Sequence, residues 1–278
     1  MDVKQPFEEW WTFITENFAE YFFGIFRINV MSFLAVIAIV IAAIAIILGL
    51  AFAAGATAMD LGSYALPALV LLALVLFIAV VLVVWIAEAI KLTAYVYTDC
   101  MLTKKKFGII ETFNRIKWNA AKYVLLDFAI IIAIMIPGII LALIAAFTGI
   151  VGAAITFIYI LVAIVGYMIL SQFWVFGFLV KKQGVVDALK ESVNMVKKNL
   201  KAVILFDLGL LVGGLIFEIP SLLYSAVSDS ILENAILGST VMAVVIVFLH
   251  MVITLALATL GEIFTLPTTY LMWKKLSK

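Results

Sequence analysis

Asp127, Asp207, Glu88, Glu262, Gln172 and His250 each stand inside a long apolar run, where an unpaired polar or ionisable group is expensive and asks for a reason. Asp127 and Asp207 admit two readings. Facing each other across a helix bundle, they would form a proton- or cation-binding pair; lying instead at the cytoplasmic boundary beside Lys122 and Lys201, they would do no chemistry. Glu88 and Lys91, three residues apart, can pair on one helix face and so lower each other's cost of burial. Glu88, Gln172 and Glu262 fall at similar positions when the chain is overlaid on itself, which would give a polar ring from three helices. His250 suits either a proton relay or a neutral imidazole hydrogen-bonded to another helix.

Other chemistry has no residues to support it. One cysteine, Cys100, makes no internal disulfide, and one histidine beside one cysteine leaves structural zinc without its usual ligands. The chain has no glycine-rich phosphate loop after a strand, no His-Glu-x-x-His helix, no nucleophile elbow and no paired-cysteine motif. These features predict a non-enzymatic protein with no cofactor, no metal and no nucleic-acid partner.

The elements that must position these residues follow from composition. The 278 residues are 67% apolar and 13% charged, far from the roughly 45–50% apolar and about 25% charged of soluble domains. No charged side chain occurs from Phe128 to Val180, a stretch that as one helix would far exceed a bilayer core of roughly 30 Å and must cross twice. Apolar runs predict six crossings, near 28–56, 64–98, 119–147, 152–180, 201–227 and 234–273. Asp60, then Thr148–Gly152, then Asp229 and Glu233 fall in three short loops free of Lys and Arg. The alternate segments, with Lys4 and Lys278, hold all of the 18 basic residues except Arg27 and Lys91. That bias places both termini in the cytoplasm. The opening residues, with Asp2, Glu8 and Glu9, predict no removable signal peptide.

The chain also repeats. Gly108-Ile109-Ile110-Glu111 parallels Gly184-Val185-Val186-Asp187, and Lys117, Asn119 and Asp127 share their spacing with Lys197, Asn199 and Asp207. Glu9, Asn17 and Tyr21 match Glu111, Asn119 and Tyr123. Three units, about 1–103, 104–180 and 181–278, each consist of an amphipathic interfacial helix (about 6–21, 107–118 and 184–198) followed by two spans. Within the first helix Trp10, Trp11, Phe18 and Tyr21 form an aromatic stripe suited to the bilayer interface. Gly149–Gly152 reads as a tight turn, and Pro137-Gly138, Gly213-Gly214, Pro220 and Pro267 as potential kinks. The expected fold is an all-α polytopic membrane bundle of six transmembrane helices in three pseudo-repeats, forming a single domain.

The run Gly184-Val185-Val186-Asp187-Ala188-Leu189, with Ser192 and Lys197-Lys198-Asn199 before an apolar span, resembles the membrane domain found beside some glycerophosphodiester phosphodiesterases and in related six-span prokaryotic proteins. The resemblance implies the fold and a prokaryotic plasma membrane. The phosphodiesterase barrel itself has no counterpart in these residues, so its activity does not carry over. Two functions are expected to compete. One is a bilayer-embedded scaffold or accessory subunit that contacts membrane lipids, another membrane protein or its own copies. The other is a small secondary transporter or lipid translocator using the intramembrane carboxylates.

Overall fold

A computed structural model describes residues 3–56, 61–236 and 240–277. Asp60, Lys278 and the side chains of Asp229 and Glu233 lie outside what it describes. The described residues form α1 (Gln5–Ala56), α2 (Leu61–Leu102), α3 (Ile109–Thr148), α4 (Ile150–Ser171), α5 (Trp174–Leu179), α6 (Val185–Lys198), α7 (Leu200–Ile236) and α8 (Thr240–Leu276), with no strand among them. Six stretches are long and apolar enough to cross a membrane. Helix is the expected answer there, because a span without water must satisfy its backbone hydrogen bonds internally.

Three antiparallel hairpins, α1–α2, α3–α4 and α7–α8, account for the six stretches. Each hairpin's first helix lies against the second helix of the hairpin before it: α3 packs on α2, and α1 closes the circle by packing on α8. The third such interface, between α7 and α4, is much looser and leaves a seam in the ring.

Packing is concentrated at the lysine-rich end. Tyr21, Ile25 and Ile28 of α1, Leu92 of α2, Phe173, Trp174 and Phe176 around α5, Val203 and Phe206 of α7, and Ile263 and Met272 of α8 are all but inaccessible. Buried indoles find carbonyl partners, as amphipathic rings must: Trp10 Nε1 donates to Ile263 O (2.9 Å) and Trp174 Nε1 to Val185 O (2.7 Å). Further along the hairpins Leu71, Phe77, Ile139, Leu161, Leu211 and Phe248 face outward, as befits side chains whose solvent is lipid.

The amphipathic helices differ from one another. Only the one expected at 184–198 is separate, as α6. The one expected at 6–21 is the start of α1, bent at Asn17 (φ −126°, ψ 15°), and the one expected at 107–118 runs unbroken into its span within α3. Asn199, which ends α6, has almost the backbone of Asn17 (φ −123°, ψ 24°). Each donates Nδ2 to the carbonyl four residues back, Asn17 to Phe13 (2.9 Å) and Asn199 to Met195 (3.0 Å). An asparagine amide that caps the turn behind it frees the chain to change direction, so the same residue makes the same bend in the first and third units.

Four expectations need correction. Trp10 and Tyr21 are core residues rather than interfacial anchors, while Trp11 and Phe18 are exposed. The turn after α3 needs Gly149 alone, in the left-handed region at φ 65°. Gly152 is already inside α4, where a Cβ would come within 2.6 Å of Ala145 Cα, so its smallness serves close helix approach. Gly213 is where the Phe264 ring lies against α7, and α7 stays helical to Ile236, through the segment expected to form a loop.

Candidate functional site

The polar residues of the spans are distributed over separate contacts rather than one ring. Asp127 on α3 accepts a hydrogen bond from the Tyr167 hydroxyl of α4. Asp207 on α7 accepts one from Gln172 Nε2 at the end of α4 (3.3 Å). The two aspartates therefore hold α4 from two neighbouring helices and do not form a facing pair. Among the described residues neither is ion-paired with Lys122 or Lys201.

Glu88 and Glu262 do come together. Both line a cavity of about 360 Å³ between α1, α2 and α8, with Asn29, Ser32 and Lys91. Asn29 Nδ2 donates to Glu262 Oε2 (2.9 Å) and to Thr259 Oγ1 (3.1 Å), tying the first helix to the last. Glu88 and Lys91 stand 3.8 Å apart with Lys91 more than half exposed, so their attraction is modest. Gln172, the third expected member of the ring, belongs to the seam instead. His250 lies apart from both, stacked on Tyr224 (centroids 5.4 Å apart) with Nδ1 3.1 Å from its hydroxyl. That contact joins α7 to α8.

The seam between α4 and α7 encloses about 430 Å³. Its walls are Val165, Met168, Ile204 and Leu211, and its polar floor is the Gln172–Asp207 pair. An apolar cleft with one hydrogen-bonding end has the form of a site for an amphiphile. No cluster of three or more His, Cys, Asp or Glu suited to a metal ion occurs among the described residues.

Several polar contacts had no signature in the sequence. Asp99, standing just before the Lys104-Lys105-Lys106 run, is buried and accepts a hydrogen bond from Tyr270 (2.7 Å). Tyr21 meets Thr98 (2.7 Å) and Tyr97 donates to Glu20 O (3.0 Å), pinning α1 to α2. The only available signal was that tyrosines on long apolar helices need partners for their hydroxyls.

Fold and sites together define an all-α polytopic bundle with six membrane-length helices and polar contacts between hairpins. The chain belongs to a family described as a domain of unknown function, DUF7847, which matches residues 112–274, from the first turn of α3 nearly to the end of α8. No curated protein and no solved structure matches it.

Proposed function

We propose that the protein is a non-enzymatic, bilayer-embedded scaffold that holds membrane lipid in the α4/α7 seam, with its lysine-rich end and both termini on the cytoplasmic side. The observation that carries this reading is the unequal ring: two hairpin interfaces are closed, and the third is open with apolar walls and a polar floor. An acyl chain covers Val165, Met168 and Leu211 as lipid covers the rest of the outward surface, and the Gln172–Asp207 pair meets a polar group of the same molecule. The orientation rests on the distribution of Lys and Arg. The rival transport reading is less favoured, because the carboxylates are taken up in contacts that belong to different hairpins.

Native mass spectrometry of the protein extracted in mild detergent tests the reading. The expected result is a protein ion carrying lipid, and a clear loss of that lipid in the seam-filling variant Met168→Trp/Leu208→Trp. A lipid-free parent, or equal retention by parent and variant, refutes the seam as the site. A stoichiometric co-purifying protein in place of lipid would make the chain an accessory subunit. Flux abolished in a folded Asp127→Asn/Asp207→Asn variant would favour the transporter.

A further inference from the structure

At the lysine-rich end the turn between α5 and α6 lies against α3 and borders two adjoining cavities, of about 420 and 270 Å³, that share Arg115, Leu179 and Lys182; the turn between α2 and α3 lines the smaller one. In the smaller cavity the cations have company: Glu111 and Asp99 line it, and Lys105 Nζ lies 3.6 Å from Asp99 Oδ2. The larger one is different. Arg115, Lys122 and Lys182 line it with Asn119, and no carboxylate does. None of these three cations makes an ion pair with a described residue. Its other wall is apolar, built from Ile116, Phe178 and Val185.

Lys182 reaches this position in the left-handed region, at φ 57°, a conformation that suits glycine and costs a side chain about 1 kcal/mol or more. A charged residue there brings its ammonium to the cavity at a conformational penalty. Asp187, in the first turn of α6, already lies beside Gly184 and the α6 N-terminus. The excess positive charge therefore comes from the three side chains rather than from the helix end.

From this juxtaposition of three unpaired cations and an apolar wall, where the spans leave the membrane, we propose a binding site for the phosphate headgroup of an anionic membrane lipid. The cations take the phosphate oxygens, and Ile116, Phe178 and Val185 cover the start of the acyl chains. The site shares no residue with the α4/α7 seam, so either can fail without the other.

The test uses full-length protein in mild non-ionic detergent, titrated with short-chain phosphatidylglycerol, with matching phosphatidylcholine and inorganic phosphate as comparison probes, and read by native mass spectrometry. Phosphatidylglycerol is expected to bind at least about tenfold tighter than phosphatidylcholine, since only the former carries net negative charge. Lys182→Gly should weaken phosphatidylglycerol by about fivefold, the worth of one basic side chain at an anionic surface, with thermal stability no lower than the parent's, because glycine takes the left-handed backbone without the penalty the lysine pays. Lys104→Gly is the matched control: it removes one charge from another left-handed lysine, at φ 54°, that lines neither cavity. It should leave binding as it was. Lys122→Gln, on an exposed helical position, repeats the loss without touching a turn. Equal losses for Lys182→Gly and Lys104→Gly, or no preference for phosphatidylglycerol, would overturn the site. Displacement by millimolar inorganic phosphate with no dependence on the acyl chains would show a free-phosphate site and overturn the lipid assignment.

Discussion

Tyr270→Phe removes one oxygen from the closed part of the ring and nothing else. The hydroxyl donates to Asp99 Oδ1 at 2.7 Å, and both residues are buried, Tyr270 to 2% and Asp99 to 8% of full exposure. The other carboxylate oxygen has Lys105 Nζ at 3.6 Å, but that lysine is largely exposed and compensates little. A hydrogen bond to a charged group contributes roughly 1.5–3 kcal/mol, and its loss leaves a buried acceptor without its partner. The expected cost is about 2 kcal/mol, or about 4–8 °C in the unfolding midpoint for a chain of this size. Tryptophan fluorescence during heating in detergent is a suitable assay, because the Trp273 ring packs against Tyr270 and Trp174 lies in the same core. The discriminating measurement is the double-mutant cycle with Asp99→Asn. Coupling below about 0.5 kcal/mol, or a midpoint for Tyr270→Phe equal to the parent's, would refute the argument that this bond holds α8 to α2.

Two further predictions concern other sites. At Gly24 a Cβ would overlap the Tyr97 ring, whereas at Gly214 it would meet nothing. Gly24→Ala should therefore destabilise by about 1–3 kcal/mol through displaced packing, and Gly214→Ala should be neutral or stabilising by up to about 1 kcal/mol as a better helix former. Glu191 on α6 is partly buried, which by itself would raise its carboxyl. Hydrogen bonds from Lys181 (2.6 Å) and Gln183, with the lysine's charge, outweigh that and hold it below its ordinary value. Its contribution to docking α6 is then complete above the ordinary carboxylate value and is lost as pH falls through the lowered one. The protection of α6 amides, taken relative to the intrinsic exchange rate at each pH, should fall at acid pH in the parent, and Glu191→Gln should remove that dependence.

The six apolar stretches and their pairing were legible because charge is excluded from hydrocarbon, and a run such as Phe128–Val180 leaves no other arrangement. Asn17 and Asn199, each matched in the sequence to Asn119, make the same bend, whereas α3 runs unbroken through Asn119 itself. What spacing could not convey was which face of a helix meets a neighbour and which meets lipid. Both are apolar, so Trp10 and Trp11 look equivalent on paper although one donates to Ile263 O and the other is exposed. The same ambiguity separated Glu262, tied to Asn29, from Gln172, which faces the seam. Gly152 and Gly213 were misread for a related reason: a glycine that admits a neighbouring helix and one that bends its own have the same letter.

The contact between α1 and α8 sets an order of assembly. Trp10 emerges from the ribosome well before its carbonyl partner at Ile263 of α8, 253 residues further along the chain. Until then Trp10 Nε1 and Asn29 Nδ2 lack their α8 partners, while the α1–α2 and α3–α4 hairpins can form as they are inserted. Closure of the circle is thus the final and most non-local step, of the slow kind expected when contacts join distant parts of a chain. A chain truncated before α8 would keep its hairpins and leave an indole and an amide without partners at its beginning, a local mark of an unfinished molecule.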